Sequence, residues 1–206
     1  MDYLKEGKEN LLKLGLGGRI MLYHVSLRFW DEITKFIPRV PKGRLDSVGE
    51  DTLIPRICLS DSIEGCLTGV PWGGYNLIKD PPYGEAGLAA IFRLYEFDKS
   101  KIKKENLLNP QQIKKYVPDS EVSREHWVIN QEIVPEKSYI VMLKDFCIEP
   151  VIIQYKDTKY RMYKIIKPKY EILKKEEEDL LVNLANSENK GLFFRKHKNE
   201  FLSVFK

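Results

Sequence analysis

Residues 20–25 have the sequence IMLYHV, a short apolar run that carries one tyrosine and one histidine. Gly17 and Gly18 precede the run, and glycine favours turns because it tolerates backbone conformations that other residues avoid. A short apolar run beside turn residues is typical of a buried strand. The sequence therefore predicts the first core strand at residues 20–25, with an amphipathic helix over residues 2–14 before it.

Short strands dominate the rest of the chain, and a few helices separate them. Apolar runs lie between prolines, glycines and charged residues, as they do in strands joined by loops. The predicted strands are 54–60, 88–97, 126–129, 132–143, 148–155 and 160–166; the predicted helices are 61–67, capped by Ser60 or Asp61, 109–116 and 171–186; and long loops are predicted at 36–55 and 68–87. This mixture predicts an α+β fold.

The composition is that of a folded protein with a mild basic bias. Of the 206 residues, 43% are hydrophobic, and 34 Lys and Arg residues are nearly matched by 30 acidic ones, for a net charge of +4. The basic stretches at 99–104 and 195–198 are typical of solvated surface. A bias of this size favours polyanions but does not distinguish a dinucleotide from a nucleic acid.

The cysteines give no sign of a disulfide framework or a metal site. Cys58, Cys66 and Cys147 form no Cys-x-x-Cys pair, which argues against both disulfides and zinc. The first residues are charged, and no run of about 18 apolar residues occurs. We expect a reduced, cytoplasmic protein without a membrane partner.

Three segments resemble, in their order along the chain, the motifs of the ADP-ribosyltransferase family of the histidine, tyrosine, glutamate type. The segments are Tyr23-His24-Val25-Ser26, Ile57-Cys58-Leu59-Ser60-Asp61-Ser62 and Glu125-His126-Trp127-Val128-Ile129-Asn130. Val25 stands where the family has a glycine, and Cys58 where it has a tyrosine that stacks on nicotinamide. Trp72, Tyr75 and Tyr83 lie in the next loop and are candidates to replace that ring.

The resemblance implies a split antiparallel β-sheet core with peripheral helices. It covers residues 20–145, and we expect an ADP-ribosyltransferase-like NAD-binding domain at 1–150. Residues 151–206 are then a strand and helix extension packed on the same domain.

The same resemblance assigns roles around NAD, which is the substrate. His24 in the Tyr23–Ser26 motif would bond a ribose hydroxyl, and the Val25 main chain would pair with the nicotinamide amide. Ser26, Ser60 and the Cys58 position would line the pocket. Cleavage of the nicotinamide–ribose bond builds positive charge on the sugar, which a carboxylate stabilises.

Glu125 is the first candidate for that carboxylate, and Glu132 is its rival. For both there is a simpler interpretation, since a charged residue on a strand edge is commonly a solvent-facing one. His24 likewise has a simpler interpretation as a hydrogen-bonded structural residue.

These assignments predict an NAD-dependent ADP-ribosyltransferase that modifies a protein or nucleic-acid acceptor, as a toxin, a phage effector or a defence component. Two alternatives stay open. One is an inactive binding module with the same fold, suggested by Cys58. The other is a basic nucleic-acid-binding or inhibitor protein that uses C-terminal Lys and Arg residues.

Overall fold

The computed structural model describes residues 19–41, 51–70 and 91–187. In these ranges seven strands form one antiparallel sheet in the order β4-β5-β2-β1-β3-β6-β7. The strands are β1 Met21–Ser26, β2 Ile57–Ser60, β3 Ile91–Asp98, β4 Leu107–Leu108, β5 Glu125–Val128, β6 Lys137–Tyr155 and β7 Thr158–Ile172, and the helices are α1 Ile63–Thr68, α2 Pro110–Ile113, α3 Ser120–Ser123 and α4 Lys175–Ser187. The predicted α+β class is confirmed, and the predictions for residues 2–14, 71–87 and 195–198 lie outside the described residues.

Several predicted boundaries differ from the observed ones. The predicted strands 132–143 and 148–155 are one long strand, β6, which begins only at Lys137. Residues 132–136 stay outside it, in part because Pro135 has no N–H to donate to a ladder. The predicted helix 171–186 begins at Lys175, because Ile172 still pairs with Val141 across the sheet.

The start of α1 also differs from the prediction. Neither Ser60 nor Asp61 caps the helix. The side chain of Ser62 does so, since its Oγ accepts a hydrogen bond from the Gly65 N–H at 3.0 Å. This frees Ser60 to end β2 with its hydroxyl directed elsewhere.

Strand β1 lies near the centre of the sheet but is unequally joined to its neighbours. Six register pairs connect it to β3, whereas a single pair, Tyr23 with Ser60, connects it to β2. Beyond that pair, the imidazole Nδ1 of His24 donates to the Cys58 carbonyl at 2.8 Å. A side chain therefore bridges β1 and β2 where a main-chain ladder would otherwise continue.

Side chains alternate between the two faces of the sheet, and different elements of the chain pack on each face. We call the side on which α1 packs the helix face; there Ile63 and Leu67 contact Phe92 and Leu94. We call the opposite side the loop face. Residues 31–41 cross it, and Phe36 packs there in the core that β1, β2 and β3 share.

The C-terminal part of the described chain continues the same sheet. The expected boundary between residues 150 and 151 falls inside β6, and β6 and β7 form a hairpin that extends past the other strands. Helix α4 packs Leu181 against Phe29 and Ile140. Among the described residues no helix is both long enough and apolar enough to cross a membrane.

Candidate functional site

Polar side chains from five neighbouring strands form one row on the helix face. The register pairs Glu125 with Ser60, Ser60 with Tyr23, Tyr23 with Glu96, and Glu96 with Lys137. Directly paired residues of antiparallel strands lie on the same face, so the five side chains share it. We call this set the polar row. It runs along one end of the sheet, where β1, β5 and β6 begin and β2 and β3 end.

Ser60 lies in a part of the polar row that is closely packed under α1 and α3. It is 2% exposed, and its Oγ donates to the Ser123 carbonyl at 3.0 Å. A Cβ added to Gly65 of α1 would lie 2.1 Å from that Oγ and 2.3 Å from the same carbonyl. The glycine is therefore required for α1 to approach the strand this closely.

Glu125 is also buried, at 8% exposure, and has a partner inside the protein. Its Oε1 accepts a hydrogen bond from the indole Nε1 of Trp127 at 2.8 Å. Trp127 is fully buried, and the guanidinium carbon of Arg56 lies 4.0 Å from its ring centroid. This arrangement differs from the solvent-facing interpretation of Glu125, because the carboxylate serves a buried donor.

The other part of the polar row is less enclosed and lacks such partners. Tyr23 is half-buried, and burial together with the nearby Glu96 charge raises its pKa to about 12. Glu96 is 8% exposed, and burial raises the pKa of its carboxyl. Among the described residues nothing donates a hydrogen bond to that carboxylate.

His24 lies on the opposite side of the sheet from the polar row. Its neighbours on the loop face are the rings of Phe36, with centroids 5.1 Å apart, and Tyr95, at 6.1 Å. Burial lowers its pKa, the hydrogen bond to the Cys58 carbonyl partly offsets this, and the nearby Arg39 charge adds to the lowering. A neutral ring that donates through Nδ1 agrees with the structural interpretation of this histidine.

The other residues that were predicted to contact NAD also lie on both faces of the sheet. Val25 is on the helix face and packs against the cluster that contains Leu94. Ser26 points to the loop face, and its Oγ accepts from the Arg28 N–H at 3.3 Å. Cys58 packs in the small core around Trp127 and Ile113. The predicted NAD-binding residues therefore do not converge on one face.

Glu132 lies apart from all of these residues. Its side chain is 50% exposed and pairs with Lys35, which fits the solvent-facing interpretation. It also lines an open cavity of about 260 Å³ between Phe97 and residues 131–136. That volume is slightly below the usual range for small-molecule pockets.

Two chemistries find little support in the described ranges. No group of three or more His, Cys, Asp or Glu side chains there is arranged to hold a metal ion. Burial raises the pKa of the Cys66 thiol, which donates to the Tyr23 carbonyl at 3.2 Å. A protonated thiol in that setting is a poor nucleophile.

No protein-family model, curated protein or solved structure matches this chain. The geometry of the described residues therefore carries the functional argument.

The most unusual member of the polar row, Glu96, is absent from the sequence-based candidates. Its signal is visible in the sequence, since Glu96 and Arg93 are charged residues inside the otherwise apolar strand β3, which ends at Asp98. The neighbouring tyrosines Tyr139 and Tyr170 gave no comparable signal, because a tyrosine in a strand is common. Strand pairing places Tyr139 diagonally from Glu96, and packing on the Leu94 cluster places Tyr170 on the same face.

Proposed function

We propose that this protein is an NAD-dependent ADP-ribosyltransferase that modifies a macromolecular acceptor, with its NAD site on the helix face beside β1. One observation supports the proposal most. The three segments that resemble the family come from separate parts of the chain, yet they form the neighbouring strands β1, β2 and β5. Tyr23, Ser60 and Glu125, one from each segment, lie in one row.

In this proposal Glu125 stabilises the ribose as the nicotinamide leaves. A carboxylate aimed at developing positive charge lowers the barrier most when water is excluded around it. The Trp127 N–H would fix the orientation of the Glu125 carboxylate. His24 would act as a positioning residue, because its ring ties β1 to β2 from the loop face.

The two acids of the polar row lie well apart on the sheet. Three strand intervals of about 4.8 Å separate Glu125 from Glu96, so their Cα atoms are about 14 Å apart. The proposal therefore needs one catalytic carboxylate. Glu125 is the one that the resemblance implies.

The burial of Glu125 favours a second candidate, a module that binds NAD without cleaving it. Glu125 is only 8% exposed, and the Cys58 side chain packs in the Trp127 core where a stacking tyrosine is expected. A carboxylate engaged by a buried indole would then serve the fold. Binding and cleavage must therefore be measured separately.

The test is incubation of the purified full chain with NAD labelled in its adenylate part, together with a cell lysate. Release of nicotinamide and transfer of label are followed for wild type, Glu125→Gln and Glu132→Gln. We expect Glu125→Gln to lower both rates about 100-fold or more, as the loss of one electrostatic contact in a transition state does. Glu132→Gln is the matched control and should keep both rates.

Calorimetric titration with NAD separates the two candidates. Binding without nicotinamide release supports the module. If folded wild type neither binds NAD nor releases nicotinamide, both candidates are wrong.

A further inference from the structure

Glu96 is a buried carboxylate without a partner in the described part of the chain. It is 8% exposed on β3, a strand whose residues are all buried. Its cross-strand neighbour Lys137 is exposed and makes no close ion pair with it, and the Lys137 charge only partly offsets the effect of burial on the carboxyl pKa. A buried charge is normally paired, so this carboxylate needs an explanation.

Three tyrosines from three strands surround the same position. Tyr23 is the direct neighbour of Glu96 on β1, and Tyr139 is its diagonal neighbour on β6. Tyr170, on β7, is paired with Leu143 of β6, farther along the sheet, and approaches from that side. Each ring is half-buried, and all three pack against the cluster that contains Leu94.

The phenol oxygens lie within electrostatic range of the carboxylate. The Glu96 charge raises the pKa of Tyr23, Tyr139 and Tyr170, in each case after the larger effect of burial, and for Tyr170 after the effect of Glu64 as well. A charge acts in this way only on nearby groups. The four side chains therefore present one negative charge and three aromatic rings in one place.

We propose that these four residues, Glu96, Tyr23, Tyr139 and Tyr170, form a site for a small organic cation. We call them the Glu96 cluster. A positively charged nitrogen supplies the partner that the carboxylate lacks, and aromatic rings attract cations through their faces. The inference does not depend on the proposed transferase activity, although the nicotinamide ring of NAD carries a charge of this kind.

Two kinds of ligand share the required chemistry. One is a flat aromatic cation such as a pyridinium, and the other is an alkylammonium group. Both place a positive nitrogen near a carboxylate and apolar surface against the rings.

The test uses the purified full chain without NAD. Isothermal titration is performed with the cation N-methylnicotinamide, with its neutral relative nicotinamide, and with n-butylammonium. We expect saturable binding of at least one cation and at least tenfold weaker binding of nicotinamide. Because no NAD is present, the outcome is independent of the transferase test.

Single-residue variants test whether the cation binds at the Glu96 cluster. Glu96→Gln should weaken cation binding at least tenfold, and Tyr139→Phe should keep most of it, because the ring remains. Glu132→Gln, which removes a half-exposed acid elsewhere, should leave the affinity unchanged. If Glu96→Gln fails to fold, Tyr139→Ala replaces it, since loss of the ring should weaken binding several-fold.

The pH dependence provides a further check. The groups that face Glu96 are Tyr23 from β1, Lys137 and Tyr139 from β6 and Tyr170 from β7; Cys66 and Glu64 of α1 lie near Tyr23 and Tyr170. Burial raises the pKa of the three tyrosines and of the thiol, so these groups stay neutral below pH 7. Because burial raises the pKa of Glu96 above 4.5, affinity should begin to fall at a higher pH than an ordinary glutamate would give.

Three results would overturn the proposal. They are the absence of binding of either cation to folded wild type, equal binding of nicotinamide and its methylated cation, and unchanged affinity in folded Glu96→Gln.

Discussion

The polar row differs on the two sides of Tyr23. Toward Ser60 and Glu125 it is closed by packing, and we call this the closed side; toward Glu96 it is not. Ser60 and Glu125 lie under α1 and α3, and each has a hydrogen-bond partner inside the protein. Glu96 is buried to the same extent as Glu125, but its carboxylate accepts no hydrogen bond from a described residue. Equal burial therefore accompanies two different settings, one in which the carboxylate has a hydrogen-bond donor and one in which no described residue supplies a donor.

Removal of the Asp51 carboxylate beneath the closed side should destabilise the protein most. Asp51 holds the buried guanidinium of Arg56, which stacks on Trp127, and it also accepts from the N–H of Ile54 at 2.6 Å. Asp51→Ala leaves a buried cation unpaired, so we expect a loss of about 3–5 kcal/mol in the free energy of unfolding.

Urea denaturation measures this loss. Glu132→Ala is the control, because it breaks the exposed pair with Lys35 and should cost about 1 kcal/mol or less. Equal losses in the two variants would mean that the Arg56 charge is better solvated than its burial indicates.

The second prediction concerns the close approach of α1. Gly65→Ala places a methyl group where Ser60 Oγ and the Ser123 carbonyl already lie, so we expect a loss of about 3 kcal/mol, the upper end for overpacking. Gly69→Ala is the matched control, since its Cβ would lie no closer than 3.2 Å to another atom. Thermal denaturation of both variants should show the difference, and similar melting temperatures would contradict the close packing.

The third prediction tests whether Glu125 belongs to the closed side. Glu125→Ala leaves the buried Trp127 N–H without an acceptor, which should cost about 2 kcal/mol in the free energy of unfolding. Trp127→Phe in the same background removes the unsatisfied donor. The loss in the double variant should therefore be smaller than the sum of the two single losses. Additive losses would show that the two side chains do not interact.

The last and smallest effect has the opposite sign. Burial raises the Glu96 pKa in the folded state, so the folded protein holds this proton more tightly than the unfolded chain does. Stability is then lost as the pH rises from 4.5 through the raised pKa. Glu96→Gln should remove this loss and slightly raise the free energy of unfolding at pH 7. A destabilised, folded Glu96→Gln would show instead that the charge is well satisfied.

The elements of this fold were more predictable from sequence than the placement of their side chains. The run at residues 20–25 predicted β1 because apolar residues beside glycines leave few alternatives. By contrast, nothing in the Tyr23–Ser26 motif indicates which of its side chains faces α1. That choice depends on pairing between distant strands, because a shift of one residue exchanges the faces.

The same reason explains which of the predicted site residues lie together. Glu125 and Ser60 were both predicted at the NAD site, and β2 and β5 pair them. His24 was expected at the same site, but alternation along β1 places it on the other face. Glu96 was not among the sequence-based candidates, because its place beside Tyr23 and Tyr139 depends on pairing between distant strands.

The single register pair between β2 and β1 has a mechanical consequence. A force applied across the sheet is resisted by six register pairs between β1 and β3 but by only one between β1 and β2. The sheet should therefore separate first between Tyr23 and Ser60. The His24 hydrogen bond to the Cys58 carbonyl then reinforces this connection between β1 and β2. Helix α1 reinforces it as well, because it contacts both strands.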